Sequence, residues 1–231
     1  MPIRLPRLYT YTIPYDDGAA PNPFFGMCTL AICKPGIRRT AQVGDWIAGL
    51  GAKTAQPPLH GKLVYAMRVT KIVTMEEYDL MASTSWPHRI PKPGSKVLYE
   101  RLGDCIYDYS SGEAKLRNGT VHTDDNRPVD LGGERVLIAD EFYYFGSDAI
   151  PVPPMPLPTG SDLTKIIHQT QGHKSIANDG AFDTFVGWIR SVGAKQGVGQ
   201  LGWPGRRVDW ENRYACGCAK RIDVDDGDEP D

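Results

Sequence analysis

Residues 62–73, KLVYAMRVTKIV, carry the strongest secondary-structure pattern in the chain. Leu63, Tyr65 and Met67 recur at every second position, which is the period of a β-strand with one buried face. The next four residues, 74–77, match a capping box, in which a threonine and a glutamate bond each other's backbone N–H groups at the start of a helix. This stretch therefore predicts a long strand that is followed at once by a short helix.

Shorter β-forming runs lie on both sides of this strand and are separated by turns. The runs are residues 8–13, 28–33, 46–49, 105–107 and 136–144. The 25 glycines and 19 prolines make the chain rich in turns, which excludes helical bundles, coiled coils and solenoids. We therefore expect an α+β fold built on a small twisted β-barrel of five to seven strands, with short helices and a C-terminal helical segment.

The C-terminal part differs in composition from the rest. Proline-rich residues 151–160 predict a stiff spacer, and apolar side chains at helical spacing predict a helix over residues 178–191 that Gly193 ends. The last ten residues carry six acidic and no basic side chains, which is typical of a disordered tail. The predicted organisation is a barrel domain (1–150), the spacer (151–160), a helical segment packed on the barrel (161–221) and the acidic tail (222–231).

Length and composition set the class of protein. With 231 residues, 41% of them hydrophobic, the chain can bury a core of its own. No apolar run approaches the roughly 20 residues of a membrane helix, the N-terminus lacks a signal-peptide pattern, and the five cysteines suit reduced thiols. We therefore expect a cytoplasmic protein without membrane contact. Residues 1–221 hold 26 basic against 22 acidic side chains, a formal charge of +4 that permits nucleic-acid contact.

The residues that could hold a metal or act in catalysis form no familiar motif. The spacing of Cys28 and Cys33 puts them on opposite faces of a strand, and Cys216 with Cys218 lacks a second pair to complete a zinc site. We therefore predict neither a metal nor a cofactor. Signatures of P-loop proteins, serine hydrolases, zincins and zinc deaminases are missing. His173 is the first candidate for an acid or base, because it is expected in a polar loop between helices.

Several blocks of the sequence carry a resemblance to a known family. They are residues 17–24 (DGAAPNPF), 28–39 (CTLAICKPGIRR) and 44–49 (GDWIAG), with shorter matches at 63–69, 103–107, 136–137 and 142–146. In these blocks the chain resembles the second nucleotide-modification-associated domain family, bacterial and phage proteins connected by genomic context with DNA base hypermodification. The Gly-Asp-aromatic turn is also similar, more loosely, to PUA-like domains of the EVE and ASCH kind. In those small barrels an aromatic-lined cleft receives a modified base.

The resemblance implies a ligand site assembled from the first loops and strands. Aromatic rings would stack on a base, and cationic groups would meet phosphates. The implied ligand-binding residues are Asn22, Phe24, Lys34, Arg38, Arg39, Asp45, Trp46 and Tyr65. Asn22 and Asp45 equally fit ordinary turn residues, and the aromatic residues equally fit a hydrophobic core.

Three functions are compatible with these features. The first is binding of a modified nucleobase or nucleotide, free or in nucleic acid, within a DNA-modification or phage–host conflict system. The alternative is a nucleotide-modifying enzyme in which His173, Asp17 or Cys28 transfers a proton or acts as a nucleophile. The third is a protein-interaction module that uses the proline-rich spacer and the acidic tail.

Overall fold

The computed structural model describes residues 4–53, 59–167, 172–177 and 180–205. The predicted acidic tail, Cys216 and Cys218, and the part of the predicted helical segment beyond residue 205 lie outside the described residues. The strands are β1 (Leu8–Ile13), β2 (Cys28–Leu30), β3 (Trp46–Gly51), β4 (Lys62–Arg68), β5 (Lys71–Thr74), β6 (Tyr107–Asp108), β7 (Lys115–Leu116), β8 (Arg135–Ala139), β9 (Glu141–Tyr144), β10 (Ile150–Pro151), β11 (His173–Ile176) and β12 (Gly199–Gln200). The helices are α1 (Pro35–Thr40), α2 (Met75–Thr84), α3 (Leu98–Arg101), α4 (Arg127–Gly132), α5 (Leu163–Ile166) and α6 (Ala181–Gln196).

Seven of these strands form the largest sheet. In its order β11-β1-β3-β4-β9-β12, β1 and β3 run parallel, β4 is antiparallel to β3 and β9, and β10 pairs with part of β4. Within the described residues β11 and β12 are the two edges and do not pair with each other, so the sheet stays open. The predicted α+β class is confirmed. The predicted PUA-like barrel is not confirmed, because the described strands are divided among three sheets rather than closed into one.

The long strand predicted over residues 62–73 is divided between two sheets. Its first part is β4 of the large sheet, and its second part is β5 of a three-stranded sheet with the order β2-β8-β5. At the junction the Val69 N–H donates to the Asp45 carbonyl at 2.8 Å, and the Thr70 N–H donates to the Ile138 carbonyl at 2.9 Å. The chain therefore changes partners between adjacent residues. The helix predicted to follow is confirmed, since α2 begins with the expected capping box.

Two hydrophobic clusters lie on opposite faces of the large sheet. Alternate residues of β1 divide between them, because successive side chains of a strand point to opposite sides. Tyr9 and Tyr11 join a cluster that includes Leu30 and Leu137 of the three-stranded sheet, whereas Leu8 joins the cluster beneath α6. The two sheets therefore pack face to face, and the segment after β2 lies over the tyrosine-bearing face of the large sheet.

Helix α6 continues past its predicted end. Gly193 does not end it, contrary to expectation, but lies inside the helix against the Tyr143 ring. The helix ends at Gly197, whose φ of +100° suits glycine. Gly193 therefore serves close packing rather than termination. Of the helices in the described part of the chain, none combines the length and the apolar character needed to cross a lipid bilayer.

We expect Gly193→Ala to lower the free energy of unfolding by about 1–3 kcal/mol. A Cβ atom at this position would come within 3.0 Å of the Tyr143 ring, which is itself stacked on Trp46. Gly187→Ala in the same helix is the matched control, since its Cβ would have nothing within 4 Å and better helix propensity should add up to about 1 kcal/mol. Urea unfolding measures both variants. A Gly193→Ala protein as stable as the wild type would contradict the packing argument.

Candidate functional site

A strained turn joins β2 to α1 and carries Cys33 and Lys34. Their φ angles are 59° and 44°, in the left-handed region that residues with a side chain enter at a cost of about 1–3 kcal/mol each. Backbone strain of this kind is concentrated at functional sites. Cys33 is half-buried. The turn therefore places a half-buried cysteine between the end of a buried strand and the start of a helix.

His122 and Asp130 lie beside this thiol. His122 Nε2 is 3.7 Å from Cys33 Sγ, and His122 Nδ1 is 2.6 Å from Asp130 Oδ2. An ionised carboxylate can only accept, so Nδ1–H donates to Asp130 and the Nε2 of a neutral ring can accept the thiol proton. A nucleophile, a base and a group that orients the base thus stand in the order used by catalytic triads.

Asp130 is buried on α4, and both of its carboxylate oxygens are engaged. Oδ1 accepts from the Cys33 N–H at 3.0 Å, and Oδ2 also accepts from the Tyr107 hydroxyl at 3.2 Å. Burial raises the pKa of Tyr107, and the Asp130 charge raises that pKa further, so the hydroxyl keeps its proton and remains a donor. One carboxylate therefore fixes both the backbone of the nucleophile and the ring of the base.

Arg38 connects the two sides of this triad. Its fully buried guanidinium donates from Nε to the Cys33 carbonyl at 2.8 Å, from Nη1 to the Ala31 carbonyl at 2.7 Å, and from Nη2 to the Asp130 carbonyl. Burial lowers the pKa of Arg38 to about 10, so the side chain stays charged at neutral pH. These bonds occupy the guanidinium inside the protein and hold the Cys33 turn against α4.

Cys33, His122 and Asp130 also qualify as metal donors, since their ligand atoms lie within 4.8 Å of one another. The hydrogen bonds favour the triad. Asp130 Oδ2 binds the Nδ1 side of the imidazole, away from the Nε2 that faces sulfur. An ion between sulfur and Nε2 would find two ligands in this set, whereas catalytic zinc uses three protein ligands. Asp130 would then orient the histidine rather than bind the metal.

Asp16 and three tyrosines form a polar cluster on the inner face of the large sheet. The Tyr144 hydroxyl donates to Asp16 Oδ2 at 2.7 Å, and the Tyr11 and Tyr65 hydroxyls share a hydrogen bond of 2.9 Å. Burial raises the pKa of Asp16 to about 7; the Tyr144 bond opposes this rise and the Asp17 charge adds to it. A carboxyl group with a pKa near neutrality can donate or accept a proton at physiological pH.

Tyr11 connects this cluster to the Cys33 turn. Burial is the main cause that raises the pKa of Tyr11, and the charges of Cys33, Cys28 and Asp16 raise that pKa further. Lys34 Nζ lies 5.0 Å from the centroid of the Tyr11 ring. Tyr11 therefore contacts both the Lys34 ammonium group and the Tyr65 hydroxyl.

The fold divides the eight residues that were predicted to bind a ligand. Lys34 and Tyr65 come together around Tyr11. Arg38 lies between the Cys33 turn and Asp130, bonded to their backbone carbonyls. The other five lie elsewhere: Asn22 and Phe24 in a separate loop, Arg39 bonded to a backbone carbonyl, Asp45 accepting from backbone N–H groups, and Trp46 stacked on Tyr143 under α6. The contacts described for these eight side chains therefore do not join them into one group.

The three residues predicted as catalytic groups occupy different surroundings. His173 lies on the edge strand β11 rather than in the expected loop, with its ring centroid 6.5 Å from that of Tyr9. Asp17 accepts from the Ala19 N–H at 3.0 Å within its own turn. Burial raises the pKa of Cys28 far above neutrality, which keeps this thiol protonated. The histidine beside a thiol is His122 instead.

Sequence reasoning missed His122, Asp130 and Asp16. His122 and Asp130 lie 89 and 97 residues from Cys33, so no spacing rule connects them. The local signal was a cysteine placed between a buried strand and a helix that starts with proline. Asp16 and Asp17 are adjacent aspartates that the sequence cannot tell apart. They differ in burial, which only the folded structure shows.

One family profile spans this whole arrangement. The nucleotide modification associated domain 2 family matches residues 5–211, which include Cys33, His122 and Asp130. The chain belongs to this family. The resemblance in the first loops and strands is thereby confirmed, and the family name implies involvement in nucleotide modification. No curated protein and no solved structure gives a significant match to this member of the nucleotide modification associated domain 2 family.

Proposed function

We propose that this protein is an enzyme that acts on a nucleotide or nucleobase through the thiolate of Cys33. The observation that carries the proposal is the alignment of Cys33 Sγ, His122 and Asp130, with separations of 3.7 and 2.6 Å. Catalytic hydrogen bonds are often long before a substrate binds, so 3.7 Å suits a thiol that transfers its proton on binding. Family membership supports the choice of a nucleotide as substrate.

The proposed step is addition of the thiolate to an electrophilic sp² carbon of the base or of a group attached to it. The thiol proton passes to His122 Nε2, the sulfur–carbon bond forms, and the displaced π pair moves to an adjacent nitrogen or oxygen, which takes up a proton. Asp130 keeps the imidazole oriented and stabilises the imidazolium. Asp16, whose pKa is about 7, is the candidate donor of the proton that this nitrogen or oxygen receives.

Binding of a modified base without turnover is the second candidate. The exposed rings of Phe25 and Trp203 favour it, because an exposed aromatic surface suits stacking on a base. The two candidates differ in whether a covalent adduct or a product forms. The protein would be incubated with nucleotides and with oligonucleotides that bear modified bases, and the mixture analysed by mass spectrometry. An adduct or product that disappears with Cys33→Ser supports the enzyme, whereas retained binding of unchanged ligand supports the binding module.

We expect Cys33 to react with iodoacetamide faster than Cys28 and Cys105, and we expect His122→Gln to slow that reaction about tenfold at pH 7. The physical reason is that glutamine cannot accept the thiol proton, so the fraction of reactive thiolate falls. Cys28 and Cys105 are buried and serve as internal references. Peptide mass spectrometry over a time course gives the rate at each cysteine.

Two further variants test which histidine accepts the proton of the Cys33 thiol. His173→Gln removes the histidine favoured by the sequence, and His60→Gln removes an exposed histidine as a neutral control. Slow alkylation in His173→Gln together with the wild-type rate in His122→Gln would contradict the proposed pair. Native mass spectrometry of the same samples would reveal a bound zinc ion. Zinc that is present in the wild type and lost in His122→Gln would assign the site to metal binding instead.

A further inference from the structure

A group of aromatic rings reaches the surface beside the loop of residues 16–20. The Phe25 ring centroid lies 4.2 Å from that of His88 and 5.5 Å from that of Tyr99, and Tyr99 lies 6.4 Å from Trp203. Phe25 is 38% exposed and Trp203 is 54% exposed. We call these four residues the ring surface. Exposed rings grouped in this way are unusual outside binding sites.

Buried hydrogen bonds fix the loop that presents Phe25. Phe25 itself has a φ of 61°, which is unfavourable for an aromatic residue. Arg89 is fully buried, and its Nη2 donates to the carbonyls of Phe24 at 2.9 Å and Met27 at 3.0 Å, on either side of Phe25. Its Nη1 donates to Asn22 Oδ1 at 2.7 Å. The exposed ring is therefore held in place before any ligand binds, which reduces the entropy lost on binding.

The segment that supports the ring surface is basic. Besides the buried Arg89, residues 86–102 hold three basic side chains against one glutamate, and that glutamate lies 3.6 Å from Lys92 Nζ. Lys92 and Lys96 are exposed, and they lie between His88 and Tyr99, the two residues of this segment that contact Phe25. Rings that stack on bases, together with cations that neutralise phosphates, are the combination that single-stranded nucleic acids require.

The ring surface adjoins the region of the proposed chemistry. A Cβ atom added at Gly18 would meet Pro204, the residue after Trp203. The loop of residues 16–20 is therefore in contact with the segment that carries Trp203. Two residues before Gly18, Asp16 accepts from the Tyr144 hydroxyl, and the Tyr144 carbonyl in turn accepts from the N–H groups of residues 201 and 202. The loop of residues 16–20 therefore touches the segment that carries Trp203 and also contributes Asp16 to the polar cluster with Tyr144.

We propose that the ring surface stacks on a base of single-stranded nucleic acid, and that a neighbouring nucleotide of the same strand enters the Cys33 site. The second half of this statement rests on the proposed function, whereas the stacking does not. The substrate is then a base within a strand rather than a free nucleotide. A duplex keeps its bases stacked on each other, so it cannot offer a base face to Phe25 and Trp203 without unstacking.

The test measures the affinity for a fluorescein-labelled single-stranded DNA dodecamer of mixed sequence at low salt. All proteins are full-length and carry Cys33→Ser, so that no covalent bond can form. We expect Phe25→Ala and Trp203→Ala each to raise the dissociation constant by about 5- to 150-fold. Trp203→Phe keeps a stacking ring and should stay within about threefold of the parent protein. Leu80→Ala removes a 64% exposed side chain of α2 and should stay within about twofold.

Equal affinities in all variants overturn the proposal, and so does a loss in Leu80→Ala as large as that in Phe25→Ala. Binding of the corresponding duplex as tightly as the single strand also overturns it. Quenching of Trp203 fluorescence by the oligonucleotide, absent in Trp203→Phe, supports direct stacking. The alkylation assay on Cys33 contains no nucleic acid, so failure of the stacking proposal and failure of the thiol proposal are seen separately.

Discussion

Arg38→Met is expected to lower the free energy of unfolding by about 3–5 kcal/mol and to slow the alkylation of Cys33. Methionine keeps an apolar stem but donates no hydrogen bonds, so the carbonyls of Cys33, Ala31 and Asp130 each lose the bond from the guanidinium. Each unsatisfied buried polar group costs about 1–3 kcal/mol. The same bonds hold the Cys33 turn against α4, so their loss should also disturb the sulfur–imidazole contact. Urea unfolding and the alkylation rate measure the two effects.

Arg39→Met is the matched control for this prediction. Arg39 is the next residue, lies at the surface and donates to the Gly132 carbonyl at 2.7 Å. Its replacement should change the free energy of unfolding by no more than about 0.5 kcal/mol. If Arg38→Met proves too unstable to purify, Arg38→Lys retains the charge and should give an intermediate loss. Equally small losses at positions 38 and 39 would show that the buried guanidinium has no such role.

Asp16→Asn is expected to abolish about 3 kcal/mol of pH dependence in the free energy of unfolding between pH 5 and pH 8. Folding raises the pKa of Asp16 from its ordinary value of 3.8 to about 7, mainly through burial. Between these values the folded state holds a proton that the unfolded state has lost. Stability from this group is therefore present at low pH and declines as the pH rises through 7, where the buried carboxyl ionises. Asparagine has no charge to bury, so this decline should vanish.

Urea unfolding of the wild type, Asp16→Asn and Asp17→Asn at pH 5, 6, 7 and 8 tests this prediction. Asp17 is adjacent, less buried and bonded within its own turn, so its asparagine variant should keep the wild-type pH dependence. All other ionisable groups are the same in the wild type and the two variants, so their contribution cancels in the differences. A wild-type slope in Asp16→Asn would mean that the carboxyl is ionised in the folded protein throughout this range.

Local pattern was sufficient where a structure depends on residues close in the chain. The alternation of Leu63, Tyr65 and Met67 predicted β4, and the capping box predicted the start of α2, because both signals act within a few residues. Local pattern was insufficient where the structure depends on hydrogen-bond partners that are distant in the chain. The bonds of Val69 and Thr70 to separate neighbours divide one predicted strand between two sheets. The predicted barrel was not confirmed for the same reason, since closure depends on which strands pair.

The candidate site follows the same division. The first loops and strands were enough to identify the family, and they contain Cys33 and Lys34, because a family is recognised from contiguous residues. The two side chains that lie beside Cys33, His122 and Asp130, come from segments 89 and 97 residues away.

By itself, then, the sequence determined the mixed class, the local elements and the family. Only the tertiary structure decided which cysteine lies beside a histidine and which aspartate has a pKa near neutrality. Hydrogen-bond geometry and burial depend on contacts between distant segments, and such contacts do not produce a periodic pattern in the sequence.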